Sequence, residues 1–191
     1  MLTTCPPTLR IDDYILRPFE PADAAAWYEY LADSRVTEHT SWPVVTPDSI
    51  TTLVERLIGD YATANSMRWA LARVSDGRLV GSCGYTRWLS PEGTAELAYD
   101  LSPVYWRRGI MKAAVEAAVD WALSTGTLHR IEALVMTTNQ ASIGLLERAG
   151  FLREQLLRDH RMARGTLRDF YLYSRCLEAP ANNRMQRTRE E

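Results

Sequence analysis

Glu96-Leu97-Ala98-Tyr99-Asp100-Leu101-Ser102-Pro103-Val104-Tyr105-Trp106-Arg107-Arg108-Gly109-Ile110-Met111-Lys112-Ala113 is the stretch on which the fold turns. Its first part alternates. Ala95, Leu97, Tyr99 and Leu101 fall on one face, and Glu96, Ala98 and Asp100 on the other, the period of a strand over Thr94–Leu101. Pro103 ends that strand, and from about Arg107 to Ser124 the period becomes helical. Ile110, Ala113, Ala114, Ala117, Ala118 and Trp121 form one stripe, which Met111, Val115 and Ala122 widen. Lys112, Glu116 and Asp120 make a narrow polar line, so the helix lies against a sheet, and its alanines allow close approach. Its first turn is electrostatically unusual. Arg107, Arg108 and Lys112 crowd the positive end of the helix dipole without a carboxylate, which at a surface costs ~0.3–1 kcal/mol per charge. Unpaired N–H groups point from the same end, and Gly109 lets a ligand approach the main chain. Charge placement alone leaves two readings open: three solvated cations, or a site for phosphate or pyrophosphate.

Upstream, Leu9–Arg17 alternates in part and stops at Pro18, which predicts a first strand. Pro21-Ala22-Asp23 opens a helix to about Ala32. Val36–Pro47 is expected to be a loop, and Pro47–Ala64 a helix with Ile50, Leu53, Val54, Leu57, Ile58 and Tyr61 at helical spacing. Arg68–Val74, closed by the Asp76-Gly77 turn, and Leu79–Trp88 read as strands. Gly81 and Gly84 in the second point to a bulge or a close backbone approach. Downstream, Arg130–Val135 is a strand and Gln140–Ala149 a helix capped by Gly150, followed by strands at Phe151–Leu157 and Leu167–Leu177. The order βααβββαβαββ defines a mixed α/β domain over 9–177. A loose leader (1–8) and a polar tail (178–191) expected to be disordered flank it.

The bulk properties narrow the function. With 191 residues and a net charge of -2, the chain suits one domain and has no general attraction for nucleic acid or an anionic membrane. Cys5, Cys83 and Cys176 are odd in number and far apart, which implies neither a disulfide framework nor a zinc site. No signal-peptide pattern and no apolar run of ~18–20 residues is present, so a cytoplasmic location is expected. The chain lacks a P-loop, a dinucleotide fingerprint, a nucleophile elbow and a zinc-protease motif.

The quoted segment resembles the pyrophosphate-binding motif of the GNAT superfamily of N-acetyltransferases, Arg/Gln-x-x-Gly-x-Gly/Ala. Ala95–Leu101, Tyr105-Trp106, Arg130-Ile131-Glu132-Ala133 and the run from Asn139 through Ser142 to Leu145-Leu146-Glu147 are similar, more narrowly, to its RimJ/RimL-type branch. The resemblance spans about Leu9–Leu177. It implies a central mixed, mostly antiparallel sheet flanked by helices, with acetyl-CoA as cosubstrate and direct transfer of acetyl to a primary amine. Three departures stand out: Trp106 where the motif has Arg or Gln, Met111 where it has Gly or Ala, and Arg107 where the branch often has glycine. Arg107 is expected to swing out to a phosphate.

By this resemblance, the cofactor-binding residues are Tyr99, Asp100 and Leu101 through main-chain groups, the segment Trp106, Arg107, Arg108, Gly109, Ile110, Met111 and Lys112, and Asn139 with Ser142. Many members of the superfamily place an acidic tyrosine seven positions after the motif asparagine; Leu146 stands there, which leaves Ser142 as the donor to the leaving thiolate. Glu96 is the candidate general base, reached through water. Related enzymes have a glutamate where Arg161 stands, so Asp159 or His160 becomes a substitute. Asn139 also reads as a helix N-cap, Ser142 as a first-turn serine and Glu96 as an ion-paired surface group. His39, Trp42, Tyr85 and Trp88 are expected to line an acceptor groove, with core packing as the alternative for each aromatic. The acceptor is expected to be a protein or peptide N-terminus, as in ribosomal-protein enzymes. A small amine such as a polyamine, amino acid or antibiotic is the alternative, and a non-catalytic acyl-CoA-binding module lies in another class. A homodimer is compatible with the resemblance; no nucleic acid, membrane or metal is expected.

Overall fold

The computed structural model describes residues 5–40, 44–63, 66–88, 93–126 and 128–176. Leu9–Arg17 is not one strand. Asp12 sits at φ 48° and turns the chain, so β1 (Leu9–Ile11) and β2 (Tyr14–Arg17) form a tight antiparallel hairpin. Two consecutive aspartates suit such a turn, because their short side chains tolerate left-handed backbone. α1 (Asp23–Leu31) follows, and then α2 (Ser34–Thr37), a short helix whose last two residues take up the start of the segment expected to be a loop. The Asp33 side chain caps α2 by accepting from the Arg35 N–H at 2.9 Å. α3 (Pro47–Thr63), β3 (Met67–Arg73), β4 (Leu79–Arg87) and β5 (Thr94–Leu101) lie within a residue or so of their predicted ends.

After a 3-10 turn at Pro103–Tyr105, α4 begins only at Ile110 and runs to Thr125. β6 (Arg130–Met136), α5 (Gln140–Arg148), β7 (Leu152–Ala163) and β8 (Thr166–Cys176) are the remaining elements of the described residues. β7 runs on to Ala163 rather than stopping at Leu157, across an irregularity between Leu157 and Arg161.

The eight strands form one sheet in the order β1-β2-β3-β4-β5-β6-β8-β7. Every neighbouring pair is antiparallel except β5 and β6, which run parallel because α4 is the crossover between them. Strand alternation divides the core. Trp69, Leu71, Tyr85, Ala95, Leu97, Ile131 and Val135 pack with the alanine stripe of α4. Ala70 and Leu79 face the other way, against Trp27 and Leu31 of α1 and Ile50, Val54 and Leu57 of α3. Leu146 is fully buried in the α4 core.

The glycines of β4 mark close approach. A Cβ on Gly84, which has φ 147°, would lie 2.3 Å from the Met67 carbonyl oxygen, and one on Gly81 would lie 2.7 Å from that of Asp100. The register shifts lie beside them: Val80 is skipped against β3 at the Leu71–Ala72 step, and Thr86 is skipped against β5 between Tyr85 and Arg87.

Candidate active site where two parallel strands part

The parallel ladder between β5 and β6 is short. Thr94, Ala95 and Glu96 pair with Arg130, Ile131 and Glu132, and the register ends there. Beyond it, β5 stays paired to β4 and β6 to β8, so the two strands part like a wedge. Ser102 donates to the Val80 carbonyl at 2.9 Å. Antiparallel alternation then turns the N–H and C=O of Ala98 and Asp100 toward β4, and those of Leu97, Tyr99 and Leu101 into the wedge. Backbone groups need partners, and among the described residues no strand supplies them along this edge. Within the wedge edge, the Leu101 carbonyl accepts from the Trp106 indole at 2.8 Å, which folds the following loop back onto the strand end.

A helix leaves the carboxyl end of each of these strands, and the two N-termini differ. α4 starts from Gly109 at φ 76°, with no side-chain cap and no acid in its first turn. A Cβ on Gly109 would meet nothing within 4 Å, so the approach to these N–H groups is open. Arg107 and Arg108 are exposed beside it, and the Arg108 guanidinium lies 5.6 Å from the Tyr105 ring centre. Arg107 adopts φ 59°, a left-handed conformation that costs a side chain ~1–2 kcal/mol. That is the physical reason a glycine suits this position. Lys112 pairs with Glu116 one turn on, while Ile110 and Met111 bury their side chains in the core and leave only backbone for a ligand. The unpaired edge, the uncapped helix end and the two exposed arginines fit a long, amide-bearing ligand with an anionic end.

α5, in contrast, is capped. The Asn139 side chain accepts from the Ser142 N–H at 3.1 Å. The Ser142 hydroxyl and the Tyr99 hydroxyl lie 2.6 Å apart, joining α5 to β5 across the wedge.

Asp100 is not a ligand group, which corrects the expectation from sequence. Its main chain belongs to the β4 ladder, and its carboxylate is buried under α1. One oxygen accepts from Arg68 and Ser82, both at 2.6 Å; the other accepts from the Trp27 indole at 3.1 Å and from the Tyr30 hydroxyl. Burial and the adjacent carboxylate hold the Tyr30 phenol well above its usual range.

Tyr85 and Trp88 are corrected too. Both are buried beneath α4, where Tyr85 donates to the Ala118 carbonyl at 2.9 Å and Trp88 stacks on Trp121 at 4.7 Å. Neither can line an acceptor groove. Trp42 lies outside the described residues. His39 stands in the turn two residues past α2, its Nδ1 3.3 Å from the hydroxyl of Thr138, the residue before Asn139.

A groove lies elsewhere, on the sheet face away from α4 and α5. It has a volume of about 250 Å³, with Leu134, Leu157 and Leu172 among its lining. Arg87, Glu96, Glu132, His160 and Arg161 supply its polar groups. Glu96 is held by Arg87 at 2.7 Å and by Arg161 at 3.3 Å, so both its oxygens serve ion pairs and the arrangement is not that of a free base. Arg161, which replaces an acid expected from related enzymes, is thus the partner of Glu96. Asp159 turns back, its N–H donating to Asp169 at 2.9 Å, while exposed His160 packs edge-on to Phe170. Arg87, Glu132 and Arg161 had no assigned role in the sequence reading. Their alternation on three strands was visible, but their convergence depends on the strand order.

The GNAT acetyltransferase domain family matches residues 13–152. An uncharacterised N-acetyltransferase, p20 of Bacillus licheniformis, is 32% identical over 87% of this chain and 94% of its own. Among solved structures, RimL, a ribosomal L7/L12 α-N-protein acetyltransferase in complex with coenzyme A, superposes with a TM-score of 0.83 at 17% identity, covering 91% of this chain and 100% of that one. The microcin C7 self-immunity acetyltransferase, in complex with acetyl-CoA and AMP, has a TM-score of 0.79 at 18% identity, over 87% of this chain and 93% of its own. The chain belongs to the GNAT family of acetyltransferases. It is an N-acetyltransferase, with acetyl-CoA as its cosubstrate.

Proposed function

We propose that this enzyme acetylates the N-terminal amine of a protein or peptide, with the two substrates meeting through the wedge between β5 and β6 from opposite faces of the sheet. The groove lined by Arg87, Glu96, His160 and Leu172 supports this reading: it combines charged and apolar side chains along the sheet face opposite α4, as an extended peptide requires. A closed acidic pocket would instead favour a small polyamine.

Acetyl-CoA supplies an activated acyl thioester. The residues of the chain do the rest. Main-chain groups of Leu97, Tyr99 and Leu101 hold and polarise amide and carbonyl oxygens along the wedge, and preorganised donors of this kind contribute ~3–4 kcal/mol to a transition state. The α4 N-terminus, with Gly109 and the Arg107 and Arg108 side chains, receives the pyrophosphate. Ser142 is the proton donor to the departing sulfur. Holding both substrates in one cleft adds the advantage of proximity.

Thiol release from acetyl-CoA against a panel of N-terminal peptides and small amines tests the reading. Release dependent on peptide supports it; release with small amines alone transfers the enzyme to the second class of acceptor.

A further inference from the structure

The Tyr99 and Ser142 hydroxyls are each other's only hydrogen-bond partners among the described residues. Two hydroxyls carry two protons, and the 2.6 Å bond between them uses one. One O–H is therefore left to give away. Which one follows from acidity: a phenol is a far better donor than an alcohol, so Tyr99 donates and Ser142 Oγ accepts. A serine in a helical turn often bonds its hydroxyl back to a carbonyl three or four residues earlier. Ser142 does not, and its backbone is held instead by the Asn139 cap at 3.1 Å. The cap thus sets where Ser142 stands, and the phenol sets where its hydroxyl points. Tyr99 comes from one wall of the wedge and Ser142 from the first turn beyond the other, so the spare proton lies where the strands part. Burial raises the Tyr99 pKa, against a smaller opposing effect of the bond to Ser142, so the phenol remains a donor through neutral pH.

We propose that Tyr99 is a positioning residue, which donates to Ser142 Oγ and so directs the Ser142 proton into the wedge. This rests on the proposed acetyl transfer there. As the amine nitrogen bonds to the acetyl carbon, the C–S bond breaks and its electron pair goes to sulfur, which takes the Ser142 proton. The charge left on Ser142 Oγ is held by the Tyr99 O–H until the proton lost from the amine returns through water.

The test compares Tyr99→Phe, Ser142→Ala and the double variant. Ser142→Ala should lower kcat by about 100-fold and Tyr99→Phe by about tenfold, within the range of general acid catalysis. Thermal midpoints and the acetyl-CoA KM should hardly move. The double variant should be no slower than Ser142→Ala, because Tyr99 acts only through that hydroxyl. A second readout needs no turnover. Ultraviolet thiolate absorbance of bound coenzyme A should show its thiol ionising at lower pH in the wild type than when free, and both single variants should remove that difference.

Normal kcat in Tyr99→Phe, an additive double variant, or a kcat loss matched by lost stability and a raised KM overturns the proposal. If the wild type binds coenzyme A but turns over no peptide, the acceptor assignment fails while the thiol titration still decides on Tyr99. If it binds no coenzyme A, the site assignment falls and this proposal falls with it.

Discussion

Tyr99 and Asp100 are consecutive in sequence and lie on opposite faces of β5, and their polar groups end in opposite conditions. On the Asp100 face, Arg68, Ser82, Trp27 and Tyr30 meet both carboxylate oxygens, and no buried side-chain polar atom among the described residues lacks a partner. That cluster binds α1 to the middle of the sheet. It has nothing left to offer a ligand. On the Tyr99 face, the hydroxyl pair keeps one proton unplaced, and the adjoining backbone edge faces a gap between strands. Complete satisfaction marks a structural cluster, and a leftover donor beside a gap marks a place prepared for something else.

The largest expected effect is on the closed face. Asp100→Ala leaves the Arg68 guanidinium buried without its carboxylate, and should destabilise the protein by about 3–5 kcal/mol in denaturant titrations. A loss below about 1 kcal/mol would break the comparison, since Asp100 would then be as dispensable as a surface group.

Next comes the open side. Gly109→Glu puts a carboxylate at the uncapped α4 end and should weaken acetyl-CoA binding by at least about 100-fold in calorimetry, equivalent to ~2.7 kcal/mol. The left-handed backbone adds a stability cost of only ~1–2 kcal/mol, so the variant stays folded. Unchanged affinity in that folded variant would remove the anion site from α4.

Arg107→Gly sharpens the contrast by separating two signs. Relief of the φ 59° backbone should raise stability by about 1 kcal/mol, while loss of the cation should raise the acetyl-CoA KM by about fivefold. An unchanged KM would mean that Arg107 makes no contact with the cosubstrate.

Tyr85→Phe is the smallest. It removes the bond to the Ala118 carbonyl under α4, for about 1 kcal/mol of stability, and should leave kcat unchanged. A drop in turnover would return Tyr85 to the acceptor groove.

The elements that were legible from sequence are those whose side chains repeat with a regular period. β5 and α3 are readable because alternation and helical spacing are local, and the resemblance in Glu96–Ala113 points to main-chain groups at the end of β5. Tyr85 and Trp88 were misassigned because an aromatic strand residue looks the same under a helix and in a groove. Asp100 was misassigned because its partners lie on α1, β3 and β4, far apart in the chain. Glu96 needed Arg161 of β7 beside it before its ion pairs could be seen. The β1–β2 turn is hidden in the sequence because Leu9, Ile11, Ile15 and Leu16 continue an apolar pattern across Asp12-Asp13, although a pair of aspartates is itself a turn signal.

The sequence by itself determined the family, the order of most elements, and the cationic glycine-bearing start of α4, because each is written in neighbouring residues. Only the tertiary structure decided where β5 and β6 part, which face of β5 is closed by Arg68, and that Tyr99 reaches Ser142. Those are outcomes of strand order and crossover, which bring together side chains that no local period connects.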